Sequence, residues 1–434
     1  MDTLIGPFLT DLDERARVKG SRDPLGAQPF WTHFGRQVIG NLTTVTNSLR
    51  DFTTLLLGYY FAERVAEESG SGSEVETFLK WEQLAAYSRA HVNHDYVFRG
   101  TERVRASLVS SDTVTLSSAP GTQILSDQKT YGLWGLYSVA ASASGLVEKD
   151  RPVLAPAALE FVIRQYLPAF AQAGFSNADR VVELLGRQQY RLELGKRDAA
   201  LTACVARILK RSIHQSERTF YKFHLVEGGP GDSTEGRQAL LSTLLEDLSR
   251  ERSIELTPST VRALAKEARH VGATGESLAF RLDRIRTCES VLGPASVLFS
   301  YLQGCDGTPI ALVAKRIKEE WGHGVRTIDM EEVRRLREEF AAIRDDCADR
   351  LIAFAEALQQ GAYEDALRLL IDQNLATMQL RGGAAWLEER AGRLRVRVRY
   401  ELGALPARST LGNLWRFPYF IESLLSLVSE LRAK

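Results

Sequence analysis

Cysteine is scarce in this chain: four residues among 434, Cys204, Cys288, Cys305 and Cys347, with no paired spacing between any two. That argues against a disulfide framework or a zinc site and fits a reducing, cytoplasmic setting. Net charge is missing as well, since 55 Lys and Arg balance 55 Asp and Glu. No global field recruits nucleic acid or an acidic membrane, so any anion binding must come from a local patch. The longest apolar run, Leu55 to Ala62, falls far short of a membrane span. The opening MDTLIGPFLTDLDERARVKG has early acids and no basic-then-apolar layout, and no signal peptide is expected.

Catalytic motifs are absent too. There is no Gly-x-Ser-x-Gly elbow, no Cys with a nearby His and no Ser-x-x-Lys pairing, and Ala141 to Gly145 mimics an elbow only superficially. Gly228 to Gly236 is glycine-rich but lacks the Gly-Lys-Ser/Thr that holds phosphate and magnesium, which makes it a linker rather than a nucleotide loop. The expectation is a protein that is not an enzyme and carries no cofactor. An ATPase or a nuclease would have to be a partner.

What is present describes a globular, mainly α protein. Hydrophobic content of 44% with 25% charged residues argues against disorder, and the length suits two or three domains. After an amphipathic segment at Leu4 to Leu12, the Gly- and Pro-rich stretch Lys19 to Gly35 should be irregular, with Phe30, Trp31 and Phe34 anchoring it to a core. Arg36 to Ala66 reads as one long helix with a heptad-like stripe (Val38, Leu42, Val45, Leu49, Phe52, Leu56, Tyr59), broadened by Ile39, Leu55 and Tyr60 into a face buried in a bundle. Ser69 to Gly72 ends it. Glu74 to His91 is a further helix, and Val114 to Leu116 is strand-like.

Amphipathic helices are expected at Asn177 to Leu194 and Lys196 to Ile213. Glu227 to Gly236 then divides an N-terminal region, 1–226, from a C-terminal domain, 237–434. Thr257-Pro258 and Thr308-Pro309 should each open a helix. Asp329 to Gln360 carries a second long stripe ended by Gly361, followed by helices at Tyr363 to Leu380 and Phe417 to Leu431. No solenoid-length repeat or low-complexity tract occurs.

The stretch Ile124 to Leu167 has its own punctuation. Tyr131, Trp134, Tyr137 and Ala141 recur at helical spacing from Asp127 to Ser144, Gly145 supplies a stop, and Leu146-Val147 and Val153-Leu154 flank a polar turn. Pro156 opens a closing helix. Helix, helix, hairpin, helix in this order resembles the winged helix-turn-helix superfamily over about forty residues. The resemblance implies a DNA-binding module, but Thr130 to Glu148 contains no Lys or Arg with which to meet phosphates or guanine edges. The unit is therefore expected to pack against protein.

Two clusters carry chemical signals. Arg393 to Tyr400 (RLRVRVRY) alternates strictly, with Leu394, Val396, Val398 and Tyr400 on one face and Arg393, Arg395, Arg397 and Arg399 on the other, and pairs with Ala385 to Glu388 as a hairpin across Arg390-Ala391-Gly392. Four guanidiniums on alternate residues could track a phosphate backbone, or form a solvated edge beside Glu388, Glu389 and Glu401. The second cluster is His91, His94 and Asp95 at a helix end. It is similar to the His-Asp pair of HD-type metal phosphohydrolases, whose further ligands could come only from Asp179 or Asp198.

The leading expectation is a non-catalytic scaffold or adaptor subunit of a bacterial-type cytoplasmic complex, with other protein subunits as partners and no membrane. The alternatives are a nucleic-acid-binding component of a DNA-maintenance or defence complex, and a metal-dependent hydrolase.

Overall fold

A computed structural model describes residues 23–69, 74–175, 178–251 and 254–432. The amphipathic segment read at Leu4 to Leu12, the leader region and the Ser69 to Gly72 helix stop lie wholly or partly outside them. The fold is mainly helical with two small antiparallel strand pairs, one of them a C-terminal hairpin. None of the described helices is long and apolar enough to cross a membrane.

The chain forms two compact units. The C-terminal unit comprises Met1–Arg36, Ile254–Gly272 and Glu276–Tyr419; the N-terminal unit comprises Gln37–Ser253, Ala273–Gly275 and Phe420–Lys434. The glycine-rich stretch Glu227 to Gly236 thus lies inside the N-terminal unit rather than between the two. Asp232 folds it back on itself, accepting the N–H of Thr234 (2.8 Å) and of Gly236 (2.8 Å).

In the N-terminal unit the Glu74–Asn93 helix is buried on every side from Thr77 to Ala90. Its polar groups have partners, as burial requires: the Gln83 amide donates to Ser117 O (2.8 Å), and Lys80 donates to Arg187 O (2.6 Å). The Leu49–Ser69 helix packs against it, with Phe61 4.8 Å from Trp81 and Tyr59 5.4 Å from Phe78 between ring centroids.

The long helix expected from Arg36 is not continuous; residues 37–48 are irregular. Side-chain hydrogen bonds there hold the backbone on an irregular path, locally and to distant segments. Asn41 donates to His224 O (2.9 Å) and Ser144 Oγ (3.0 Å) and accepts from Gln238 (2.8 Å), while Thr46 Oγ1 accepts the Thr43 N–H (2.8 Å). Val38 and Leu42 are buried all the same, so the stripe reports burial and not helicity. The run Asn177 to Leu194 also divides, into the Asp179–Gly186 helix and a strand, Gln189–Glu193, antiparallel to Thr113–Ser117. Tyr190 and Leu192 alternate inward there, facing Leu116 and Val114.

The stretch 124–167 gives a capped turn at Gln128–Tyr131, a helix at Leu133–Ala143, and a helix opened by Pro156 at Pro156–Gln165. Gly145 stops the middle helix at φ 68°, and the expected hairpin shrinks to one bridge, Val147↔Leu154. Tyr137 and Ala141 are buried, but Tyr131 points outward.

In the C-terminal unit the expected loop at Lys19 to Gly35 instead contains a helix, Gln28–Arg36. Asp23 caps it, accepting the N–H groups of Ala27 (2.8 Å) and Gln28 (2.9 Å). Phe30 and Phe34 are anchors, meeting Phe340 edge-on at 5.4 and 6.1 Å. Helices begin at Pro258 and Ile310 as the Thr-Pro pairs imply, although Pro309 precedes its helix instead of opening it. The Asp329 to Gln360 stripe is split into Met330–Arg335 and Arg337–Gln360, the second interrupted at Arg344 (φ −154°, ψ 96°). Phe340, Cys347, Leu351, Phe354 and Leu358 are nonetheless buried. Tyr363–Leu380 is helical as read, and the final helix, Ile421–Arg432, belongs to the N-terminal unit.

Candidate functional site

The hairpin pairs Leu387–Arg390 with Arg393–Val396. Ala391 (φ 49°) and Gly392 (φ 71°) form the two-residue turn, the left-handed pair that suits the twist of the flanking strands. Alternation stops at Val396. Leu394 and Val396 are buried, while Tyr400 is 62% exposed instead of lying on the inner face. Nor is the arginine strand a free edge. Its outer side bonds to the 307–310 segment, with Leu394 donating to Thr308 O (2.9 Å) and Gly307 to Leu394 O (2.8 Å).

Three of the four arginines are committed within this unit. Arg393 donates to Gly307 O (2.9 Å), Arg397 pairs with Glu388 (2.6 Å) and Arg399 with Asp306 (2.5 Å). Arg395 is exposed and stands opposite Glu388 in the register. These contacts compete with a phosphate backbone for the guanidiniums. The wild-type chain is therefore expected to show no salt-sensitive binding to short duplex or single-stranded DNA or RNA, titrated at two salt concentrations. Binding whose salt slope falls by about two units when Arg395 and Arg397 become Ala would assign the strand to nucleic acid.

The cluster of His91, His94 and Asp95 does not converge. His91 ends the Glu74–Asn93 helix, His94 follows with φ 50°, and Asp95 turns inward. The Asp95 carboxylate accepts from Arg89 Nε (3.0 Å) and Nη2 (2.8 Å), Val97 N (3.1 Å) and Arg211 (3.0 Å), which leaves no lone pair directed at an ion. Burial would raise its pKa, but Arg89 and these donors hold it below the usual carboxylate range. Asp198 is likewise occupied, by Tyr190 OH (2.7 Å) and Glu193 N (2.9 Å). Among the described residues no group of three His, Cys, Asp or Glu is placed to hold a metal ion.

A different feature stands open in the N-terminal unit, between the Pro156–Gln165 helix and the Gln215–Tyr221 helix. Phe161 and Phe220 stack face to face, 3.8 Å between centroids and 4° from parallel, and Phe220 also leans on His224 at 4.4 Å. They floor a shallow groove of 510 Å³ with Ala157, rimmed by Glu160, Arg164 and Gln165. Phe223, in the π-helical turn Lys222–Val226, is 47% exposed. The signal for this ledge was the run Phe220-Tyr221-x-Phe223. One helical turn cannot bury aromatics at all three positions, and only Tyr221 goes inside.

Two carboxyls missed in the sequence are buried deeply enough to titrate out of range. Burial pushes Glu82 up to about 7 against the opposing Leu133 N–H and Gln128 amide, each at 2.8 Å. Burial likewise pushes Glu289 up to about 8 against Arg416 N–H (2.5 Å) and Tyr419 OH (3.0 Å). An unfolded Glu ionises near about 4.3, so between that pH and the folded value the native chain binds more protons and stability falls as pH rises, by up to ~1.4 kcal/mol per pH unit per group. The unfolding midpoint should be lower at about pH 8 than at about pH 5.5, and Glu289→Gln should flatten the upper part of that fall. A wild-type midpoint that is level or rising over the window contradicts this reading.

No family model, no curated protein and no solved structure matches this chain.

Proposed function

We propose that the chain is a non-catalytic adaptor or scaffold subunit of a bacterial-type cytoplasmic complex and works through protein contacts. The observation that carries this reading is the ledge of Phe161 and Phe220, with Phe223 exposed on the next turn. Fully burying a phenylalanine is worth about 1.5–3 kcal/mol, and these rings, half-buried at Phe161 and Phe220 and 47% exposed at Phe223, forgo part of it. Aromatic side chains grouped on a surface are the material of interface centres. The Pro156–Gln165 helix under the ledge closes the winged-helix-like unit, whose middle helix, lacking Lys and Arg, suits a protein surface better than phosphate. The four free, buried thiols fit a reducing compartment. An ATPase or nuclease subunit would supply any chemistry of the assembly. The committed arginines of the hairpin weigh against the rival nucleic-acid reading.

A photoreactive phenylalanine analogue at position 223, irradiated in the native cells, tests the proposal. It should yield a discrete protein adduct, absent when the analogue sits at Val109, which is 85% exposed on another helix. Adducts to nucleic acid alone, or equal labelling from both positions, count against it.

A further inference from the structure

The C-terminal unit contains a second opening of a different chemistry. It is a cleft of 820 Å³ between the start of the Pro258–Ala268 helix, the middle of the Gly272–Leu302 helix, the 326–331 segment and the 411–414 turn. Its walls are mostly polar, and three arginines line it: Arg262, Arg286 and Arg326.

Among the described residues, no acid lining the cleft is ion-paired with these arginines. Asp329 caps a helix through Oδ1, which accepts the N–H groups of Glu331 (3.0 Å) and Glu332 (3.3 Å). Glu331 pairs with Arg335, outside the cleft lining. Glu289 is buried, its oxygens accept from Arg416 N–H and Tyr419 OH, and burial pushes its pKa up to about 8. Arg262 and Arg326 are exposed and form no ion pair among the described residues. Arg286 is ion-paired with Asp283 at 3.4 Å, outside the cleft lining, and its buried Nε has no hydrogen-bond partner.

Three arginines line this one cleft, and planar guanidinium donors match phosphate oxygens. The volume falls within the range of small-molecule sites. We infer that this cleft binds a small phosphate-bearing molecule of about nucleotide size, held by Arg262, Arg286 and Arg326. Ser259, Thr287, Ser290 and Asn413, which also line the cleft, supply hydroxyl and amide groups for the rest of such a ligand. The site is independent of the aromatic ledge, and its ligand would act on the adaptor as an effector.

The test is thermal unfolding and calorimetric titration of the full chain with inorganic phosphate, pyrophosphate and a nucleoside triphosphate, at constant ionic strength set with chloride. Pyrophosphate and the nucleotide should bind saturably and raise the unfolding midpoint. Arg262→Ala and Arg326→Ala, both at exposed positions and so safe for the fold, should each weaken binding about tenfold or more. Arg286→Gln should do the same where its circular dichroism matches wild type. No saturable response to any of the three compounds overturns the inference, as does equal affinity in the arginine variants or binding of a dicarboxylate such as malonate in preference to pyrophosphate.

Discussion

Replacing Glu217 by Ala should lower the unfolding free energy by about 3–5 kcal/mol, a large part of what holds a domain together. Glu217 is almost wholly enclosed in the N-terminal unit, with side-chain exposures of 1% for it and 5% for its partner Arg50. Arg50 donates to both carboxylate oxygens at 2.5 and 3.1 Å, Tyr166 OH donates at 2.8 Å, and the His214 N–H at the helix start donates at 2.7 Å. Burial alone would raise the Glu217 pKa, but Arg50 and the other donors hold it below the usual range. Its contribution is therefore present at neutral pH and lost as pH falls through the lowered folded value. Alanine leaves a guanidinium that cannot deprotonate in a dry site. Arg50→Met with Glu217→Leu should recover part of the loss, because both desolvation costs vanish together. Chemical denaturation of the three proteins checks this; a loss under about 1 kcal/mol for Glu217→Ala would show that water reaches the pair.

Phe340→Asp should prevent the C-terminal unit from folding into a soluble form. Phe340 is fully buried and both Phe30 and Phe34 pack edge-on against it, so the carboxylate would enter a three-ring cluster with no counter-charge. Phe340→Ala, which only empties the site, should cost about 3–5 kcal/mol. Leu49→Asp is the matching change in the N-terminal unit, where Leu49 is likewise fully buried. Soluble, fully helical Asp variants at both positions, by circular dichroism and gel filtration, would contradict the core assignment.

Where local chemistry decides, the structure was legible in the chain. Thr257 caps as read, accepting the Thr260 N–H (3.1 Å), and Gly361 stops its helix at φ 72°; the hairpin is present, but its turn is Ala391-Gly392, because Arg390, read as part of the turn, pairs with Arg393 in the ladder. The Arg36 to Ala66 reading failed because Thr46 binds the backbone of Thr43 and Asn41 finds partners at Ser144, His224 and Gln238, which periodicity does not reveal. Gln189 to Glu193 was lost because a five-residue strand takes its meaning from Thr113 to Ser117, far upstream. The arginine row was visible, but not that Asp306 and Gly307 would engage it from another segment. The three cleft arginines come from separate elements, so no motif announces them.

The adaptor reading depends most on the ledge, and its most direct test is the mass of the tagged chain recovered from native cells under gentle conditions. Wild type is compared with a Phe161→Ser/Phe220→Ser variant whose unfolding midpoint is first shown to be close to that of wild type. Wild type should emerge in a complex with a stoichiometric protein partner, and the variant as the 48.3 kDa chain without it. Wild type recovered with nucleic acid and no protein, or the same complex from both proteins, would contradict the account.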